Sequence, residues 1–286
     1  MAIAVVTGTS AGIGLATAVT LGRAGHTVVA TMRNLNGGAE LQKIISDEKL
    51  PVTLSRLDID DDASVKDAFE QALAKHGRID VLVNNAGIGV LGSVEETPMA
   101  AFRETMETNF FGALRCIKAV VPGMRERRHG CIVNVTSIAG RVAMTPYGPY
   151  AASKWAFEAL SECLAQEMKA FNVRVAIIEP GIIATAMVRK IATAKGDSRY
   201  PHLSRVAARF RAALASPVSP YVVGEQIREI VNGDSWRLRY PVGRDAAPSL
   251  QWRAGISDED LVAIQAETDA EFVARMKAIY GFEVTL

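Results

Sequence analysis

Cysteine and histidine are scarce in this sequence. Three cysteines, Cys116, Cys131 and Cys163, stand far apart among 286 residues, and the four histidines do not cluster. No CxxC pair occurs, which excludes a disulfide framework and leaves no zinc-ligand set, so no metal is expected. No apolar run approaches the roughly 18 residues that a membrane span requires. The start, Met1–Gly8, lacks a basic leader region, and the end, Glu283–Leu286, is no peroxisomal address; a reduced, cytoplasmic protein is expected. Net charge is missing too: 32 basic and 31 acidic side chains leave +1, which gives nucleic acid no electrostatic foothold.

Short β-branched runs are present, alternating with longer helical patterns: Ile3–Thr7, Thr27–Thr31, Val52–Leu57, Val81–Asn84, Cys131–Thr136, Val173–Ile178 and Arg237–Pro241. Nearly continuous apolar strands separated by helices are the pattern of βαβ units with a buried parallel sheet. The helices fall at Ile13–Arg23, Gly38–Glu48, Asp62–Lys75, Pro98–Met124, Tyr150–Phe171 and about Gly224–Val231. The expected fold is therefore α/β: a single doubly wound Rossmann-type domain on a mainly parallel seven-stranded sheet, with a helical substrate lid and a C-terminal helical tail. Its core covers about residues 1–185 and 218–243, the lid about 186–217, and the extension about 244–286.

Within Met187–Pro217 there are seven basic residues and one acid, Asp197. Such a run reads either as a solvated face or as a mobile lid whose Tyr200, Leu203, Val206 and Phe210 line an apolar pocket. In the tail, a helix is expected from Ser257, capped by that side chain with Asp260 as capping-box acid, and Leu261, Ile264, Phe272, Met276 and Ile279 as its buried face.

Chemistry concentrates in two stretches. Immediately after the first strand comes Gly8-Thr9-Ser10-Ala11-Gly12-Ile13-Gly14. Glycines there let a pyrophosphate approach the backbone, and the helix that follows points free N–H groups at it. The second strand ends in Met32-Arg33-Asn34, with an arginine where NAD-binding chains offer an acid. A guanidinium grips a 2′-phosphate, so NADP (NADPH) is expected over NAD. Asp58, in Leu57-Asp58-Ile59, is placed to accept from an adenine amino group. Asn84-Asn85-Ala86-Gly87 closes the fourth strand with small residues on which a ribose can pack.

The other stretch runs from Ser137 to Lys154. Pro149 suits the first turn of a helix, and Tyr150 and Lys154, four apart, share one helical face beside the Ser137 hydroxyl. A lysine charge near a phenol favours the phenolate and draws its pKa toward the range useful for acid–base catalysis. Tyr147 is a rival phenol, but it precedes Pro149 and lacks the four-residue spacing to lysine.

Taken together, TGTSAGIG, NNAG, the Asn of Thr108-Asn109-Phe110, Ser137, YAASK and Pro180-Gly181-Ile182-Ile183-Ala184-Thr185 resemble the short-chain dehydrogenase/reductase family, over about Ala2–Thr185. The resemblance implies a catalytic tetrad of Asn109, Ser137, Tyr150 and Lys154. It also implies a nicotinamide held by Lys154 and by Pro180, Gly181, Ile183 and Thr185, and a water relay positioned by Asn109. It implies a homodimer or homotetramer built on the long helices, with Phe110, Phe111, Trp155, Phe157 and Leu160 as candidate contacts. Val29–Arg33 and Leu238–Gly243 are similar to the branch of 17β-hydroxysteroid and retinol dehydrogenases, which points to a hydrophobic alcohol or ketone. The expected function is NADP(H)-dependent interconversion of a secondary alcohol and a ketone or aldehyde. The competing readings are a 3-oxoacyl-thioester reductase, whose carrier phosphates would meet the basic lid, and a non-catalytic NADP sensor or scaffold.

Overall fold

The computed structural model describes residues 1–194 and 198–286; Asp197 lies outside the described residues, with Lys195 and Gly196. Seven strands form one sheet: β1 (Ile3–Thr7), β2 (Thr27–Met32), β3 (Val52–Arg56), β4 (Val81–Asn84), β5 (Gly130–Val135), β6 (Val173–Pro180) and β7 (Arg239–Val242). Their order is β3-β2-β1-β4-β5-β6-β7, and every pairing is parallel. The order reverses between β1 and β4, which opens a crevice at the carboxyl ends of the strands, where ligands of such sheets bind.

The helices that connect the strands are α1 (Gly12–Arg23), α2 (Ala39–Glu48), α3 (Asp62–His76), α4 (Met99–Met106), α5 (Ala113–Arg127), α6 (Gly148–Lys169), α7 (Ala186–Ala192), α8 (His202–Leu214) and α9 (Pro220–Asn232). The tail adds α10 (Ala246–Ala254), α11 (Asp258–Ala263) and α12 (Asp269–Tyr280). Side chains alternate between faces at period two. Ala4 and Val6 pack with Leu21 of α1, Leu41 of α2 and Ile227 of α9. Val5, between them, packs on the other face with Phe69 of α3, Ile117 of α5 and Phe157 of α6. Phe157 is 2% exposed, and burying a side chain of that size contributes about 1.5–3 kcal/mol. It belongs to the core and leaves the set of candidate oligomer contacts.

Two expected helices came out differently. The run Pro98–Met124 is not one α-helix: a π-helical segment, Glu107–Gly112, separates α4 from α5. The tail helix expected from Ser257 is divided into α11 and α12, and α10 precedes it unforeseen. Ser257 does cap α11, its Oγ accepting from the Asp260 N–H at 3.0 Å. The reciprocal capping box belongs instead to Thr268 and Glu271 at the start of α12. Of the expected buried face, Phe272 and Met276 are buried, while Leu261, Ile264 and Ile279 are half-buried. These two residues join Val206 and Phe210 of α8 and Val188 of α7 in a third apolar cluster, separate from the two that flank the sheet. Among the described residues no helix is long and apolar enough to cross a membrane.

Candidate active site

A cleft of about 510 Å³ lies across the carboxyl ends of β1, β4, β5 and β6. Its floor is the glycine turn, where Gly8 has φ +71° and a Cβ would come 2.7 Å from the Ala86 Cα. Only glycine suits both the left-handed backbone and that contact. Asn85 fastens the turn: its Nδ2 donates to the carbonyls of Thr7 and Gly8 at 2.9 and 3.1 Å. Thr7 Oγ1 in turn accepts from the N–H groups of Asn85 and Ala86, each at 3.0 Å. Helix α1 then starts without a side-chain cap or an acid in its first turn, so its N–H groups are open to an anion.

Most expected cofactor residues line this cleft: Gly8, Ser10, Gly12, Ile13, Arg33, Ile59, Asn85, Ala86, Gly87, Tyr150, Lys154, Pro180, Gly181, Ile183 and Thr185. Gly14 does not. It lies behind the turn, where a Cβ would overlap the Gly8 carbonyl oxygen. Asp58 is also absent from the wall; its Oδ1 accepts from the Asp60 N–H at 3.2 Å, a local turn that holds the carboxylate against its own backbone. Asp60 lines the cleft in its place, taking a hydrogen bond from Thr108 Oγ1 at 2.8 Å. Burial raises the Asp60 pKa above the ordinary carboxylate value. Three consecutive aspartates, 60–62, could have drawn attention to it. Arg33 is exposed at the same end, with no ion pair among the described residues, and no carboxylate follows β2. An open helix start, a backbone cradle and a free guanidinium at the adenosine end fit a nicotinamide dinucleotide.

Ser137, Tyr150 and Lys154 share the other end of the cleft. Ser137 follows β5, and its Oγ lies 3.4 Å from the Pro180 carbonyl and accepts from the Ala139 N–H at 3.1 Å. Helix α6 begins at Gly148, with Pro149 in its first turn and Tyr147 as the residue before it, so Tyr147 stands outside the helix as expected. Lys154 Nζ lies 5.7 Å from the Tyr150 ring centroid and donates to the Val135 carbonyl at 3.0 Å. Burial pushes the Tyr150 phenol above its ordinary pKa, opposed by a hydrogen bond with Ser137. Burial also pushes the Lys154 ammonium down to about 8, opposed by the charge of Glu158. The expected lowering of the phenol by the Lys154 charge does not set its direction: burial does, and the opposition comes from Ser137.

Asn109 sits in the π-helical segment and does not line the cleft; Thr108 does. The Asn109 amide is consumed by structure. Its Oδ1 accepts from the Ile88 N–H at 2.8 Å, and its Nδ2 donates to Ile88 O and Ser153 Oγ, both at 2.9 Å. Ser153 Oγ donates to the Tyr150 carbonyl at 2.8 Å, so Asn109 ties the β4 loop to the first turns of α6. Thr185 caps α7, its Oγ1 accepting from the Val188 N–H at 3.4 Å.

Residues 2–196 match the family model described as short chain dehydrogenase. The chain belongs to the short-chain dehydrogenase family. Retinol dehydrogenase 8 of Bos taurus is 33% identical over 268 residues, which span 91% of this chain and 84% of that protein. A short-chain dehydrogenase from Streptomyces avermitilis superposes with a TM-score of 0.77 at 31% identity, covering 93% of this chain and 98% of that one. An actinorhodin polyketide ketoreductase solved with NADPH superposes with a TM-score of 0.74 at 26% identity, over 84% of this chain and 95% of that one. As a short-chain dehydrogenase near the retinol dehydrogenase branch, the chain is an oxidoreductase whose cleft suits a nicotinamide cofactor.

Proposed function

We propose that this short-chain dehydrogenase uses NADP(H) to interconvert an alcohol and its carbonyl, a secondary alcohol with a ketone or a primary alcohol with an aldehyde. The observation that carries the reading is that Ser137, Tyr150 and Lys154 share one cleft with the glycine turn and the exposed Arg33. The cofactor supplies or takes up a hydride. In the reducing direction Tyr150 gives its phenolic proton to the carbonyl oxygen, and Ser137 donates a hydrogen bond to the same atom as charge gathers there. Lys154 holds the phenol side of the site and the cofactor ribose. Asn109 is a positioning residue for the start of α6, and a water relay at its backbone belongs to the same proposal. Arg33 selects the adenosine 2′-phosphate.

The segment carrying α7 and α8 serves as a lid, supported by Met187, Val188, Ile191 and Phe210 in the wall of a second, smaller cavity against Tyr150. That wall is largely apolar, in keeping with a hydrophobic substrate. The thioester alternative relied on a basic lid surface, but Arg205 and Arg209 are buried beneath it, so less charge remains to meet a carrier phosphate. Phe111 and Trp155 are 43% and 48% exposed and are the contacts proposed for a homo-oligomer. Sedimentation of Trp155→Glu should show a smaller species than the parent; an unchanged coefficient removes Trp155 from the interface.

The decisive experiment is turnover of a panel of apolar ketones and aldehydes with NADPH and with NADH. Oxidation of NADPH with at least one carbonyl, faster than of NADH, supports the reading. Cofactor binding without turnover of any carbonyl or alcohol sinks it and favours the sensor alternative.

A further inference from the structure

The cavity beside Tyr150 holds about 80 Å³, and beyond Ser137 and Tyr150 its wall carries Tyr147 and Arg209. The first two are assigned to the reacting carbonyl, while Arg209, on α8, has no role in that chemistry. It is 5% exposed and always charged. A guanidinium taken out of water is costly unless its N–H groups are paired, and those of Arg209 are poorly paired. Nη2 lies 3.5 Å from Asp245 Oδ2. Nη1 donates to the Met144 thioether sulfur at 3.4 Å, a weak acceptor. Nε has no hydrogen-bond partner among the described residues, and neither does Asp245 Oδ2. The guanidinium lies over the Tyr280 ring, 4.6 Å from its centroid.

One helical turn earlier, Arg205 shows what a structural arginine looks like in this fold. Its Nε and Nη2 donate to Asp269 Oδ1 at 2.9 and 2.8 Å, and Nη2 also reaches Glu267 O at 2.8 Å. Arg205 is absent from the cavity wall, whereas Arg209 and its weak partner Met144 both belong to it. Asp245 is committed elsewhere, its Oδ1 accepting from the Ile182 N–H at 2.8 Å. It cancels the charge of Arg209 without using its donors.

We infer that Arg209 is a specificity-determining residue whose guanidinium holds a second oxygen of the substrate, set apart from the reacting carbonyl, in place of the Met144 sulfur. The substrate class is an apolar ketone or aldehyde, or the matching alcohol, that carries a neutral acceptor such as an ester or second ketone oxygen. A neutral oxygen fits because Asp245 already balances the guanidinium. This assignment rests on Tyr150 serving the reacting carbonyl.

The test compares methyl oxoalkanoates of increasing chain length with methyl ketones of equal length, using NADPH. At one spacing or more, wild-type kcat/KM should favour the keto ester by about tenfold or more, mainly through KM, as a charge-assisted hydrogen bond allows. Arg209→Met combined with Asp245→Asn removes the charge pair while leaving an acceptor for the Ile182 N–H, and should bring the ratio to about one. Arg209→Lys keeps a partner for Asp245 but loses the planar fork, and should lower the ratio severalfold. A ratio near one at every spacing in the wild type overturns the inference, as does a ratio preserved in both variants. Free oxo acids preferred over their esters by more than tenfold overturn the neutral-oxygen assignment. If the wild type turns over no carbonyl at all, the parent reading has failed. Thermal shifts with the corresponding hydroxy esters and NADP then read Arg209 directly: a stabilisation lost in the variants supports the site, and an equal one overturns it.

Discussion

The cofactor end of the cleft and the region built from α7, α8 and the tail hold their polar groups in opposite ways. At the cofactor end the backbone does most of the holding: the Thr7 and Gly8 carbonyls, the Asn85 and Ala86 N–H groups, and the open start of α1. Parallel strands bring their carboxyl ends together automatically, so residues 78 positions apart, such as Asn85 and Thr7, become neighbours by register. In the lid and tail, side chains from distant positions pair with no such rule. Arg205 meets Asp269 across 64 residues, and Arg211 reaches Thr285 O across 74. The lesson concerns charge counting. A basic segment is not a solvated face when the acids that pair with it lie in another segment.

Breaking the proton-donating end should have the largest effect. Tyr150→Phe is expected to lower carbonyl turnover by roughly 10²–10⁴-fold, the usual worth of a positioned general acid, read as NADPH oxidation. Retention of near-normal turnover would remove Tyr150 from the chemistry. Next comes the adenosine end: Arg33→Ala should reduce the NADPH/NADH preference by about 10–100-fold, the range of a charge-assisted pair. An unchanged preference would mean that the 2′-phosphate is held elsewhere.

In the contrasting region, Arg205→Met should cost about 1–2 kcal/mol in urea unfolding, a modest figure because Asp269 is largely exposed. It should also speed proteolysis of the tail relative to the core. Equal protection of tail and core would show that the apolar cluster around Phe272 and Met276 holds the tail without the pair.

The smallest effect is one of pH. The folded Lys154 pKa, about 8, lies below the ordinary lysine value of 10.5. Between these values the unfolded chain binds more protons, so this group makes stability rise with pH from about 8 upward. Burial of Cys116 and Cys131 raises their thiols to about 12 and 11 from 9.0, an effect of opposite sign that begins near pH 9. Wild type minus Lys154→Met cancels the thiols, and the difference in unfolding free energy should grow between pH 8 and 9. A flat difference would mean that Lys154 keeps its proton in the folded state.

Strand positions were readable to within one or two residues at most ends because a sheet buried on both faces demands continuous β-branched runs such as Val173–Ile178. The cleft was readable because its parts sit at strand ends, where Gly8, Asn85, Ser137 and Gly181 each follow such a run. What escaped were matters of orientation. Asp58 and Asp60 are two residues apart, and only the local turn shows which carboxylate reaches the cleft. Asn109 fell in a recognisable motif, yet its amide ties Ile88 to Ser153 and does not line the cleft.

Local order along the chain set the alternating α/β elements, the glycine turn, the pairing of Tyr150 with Lys154 on one helical face and the missing acid after β2, since each depends on neighbours within a turn or a strand. Packing between distant segments settled that burial raises the phenol, that the tail divides into three helices, and that Arg205 and Arg209 face inward. Those outcomes depend on desolvation and on partners far along the chain, which no local spacing encodes.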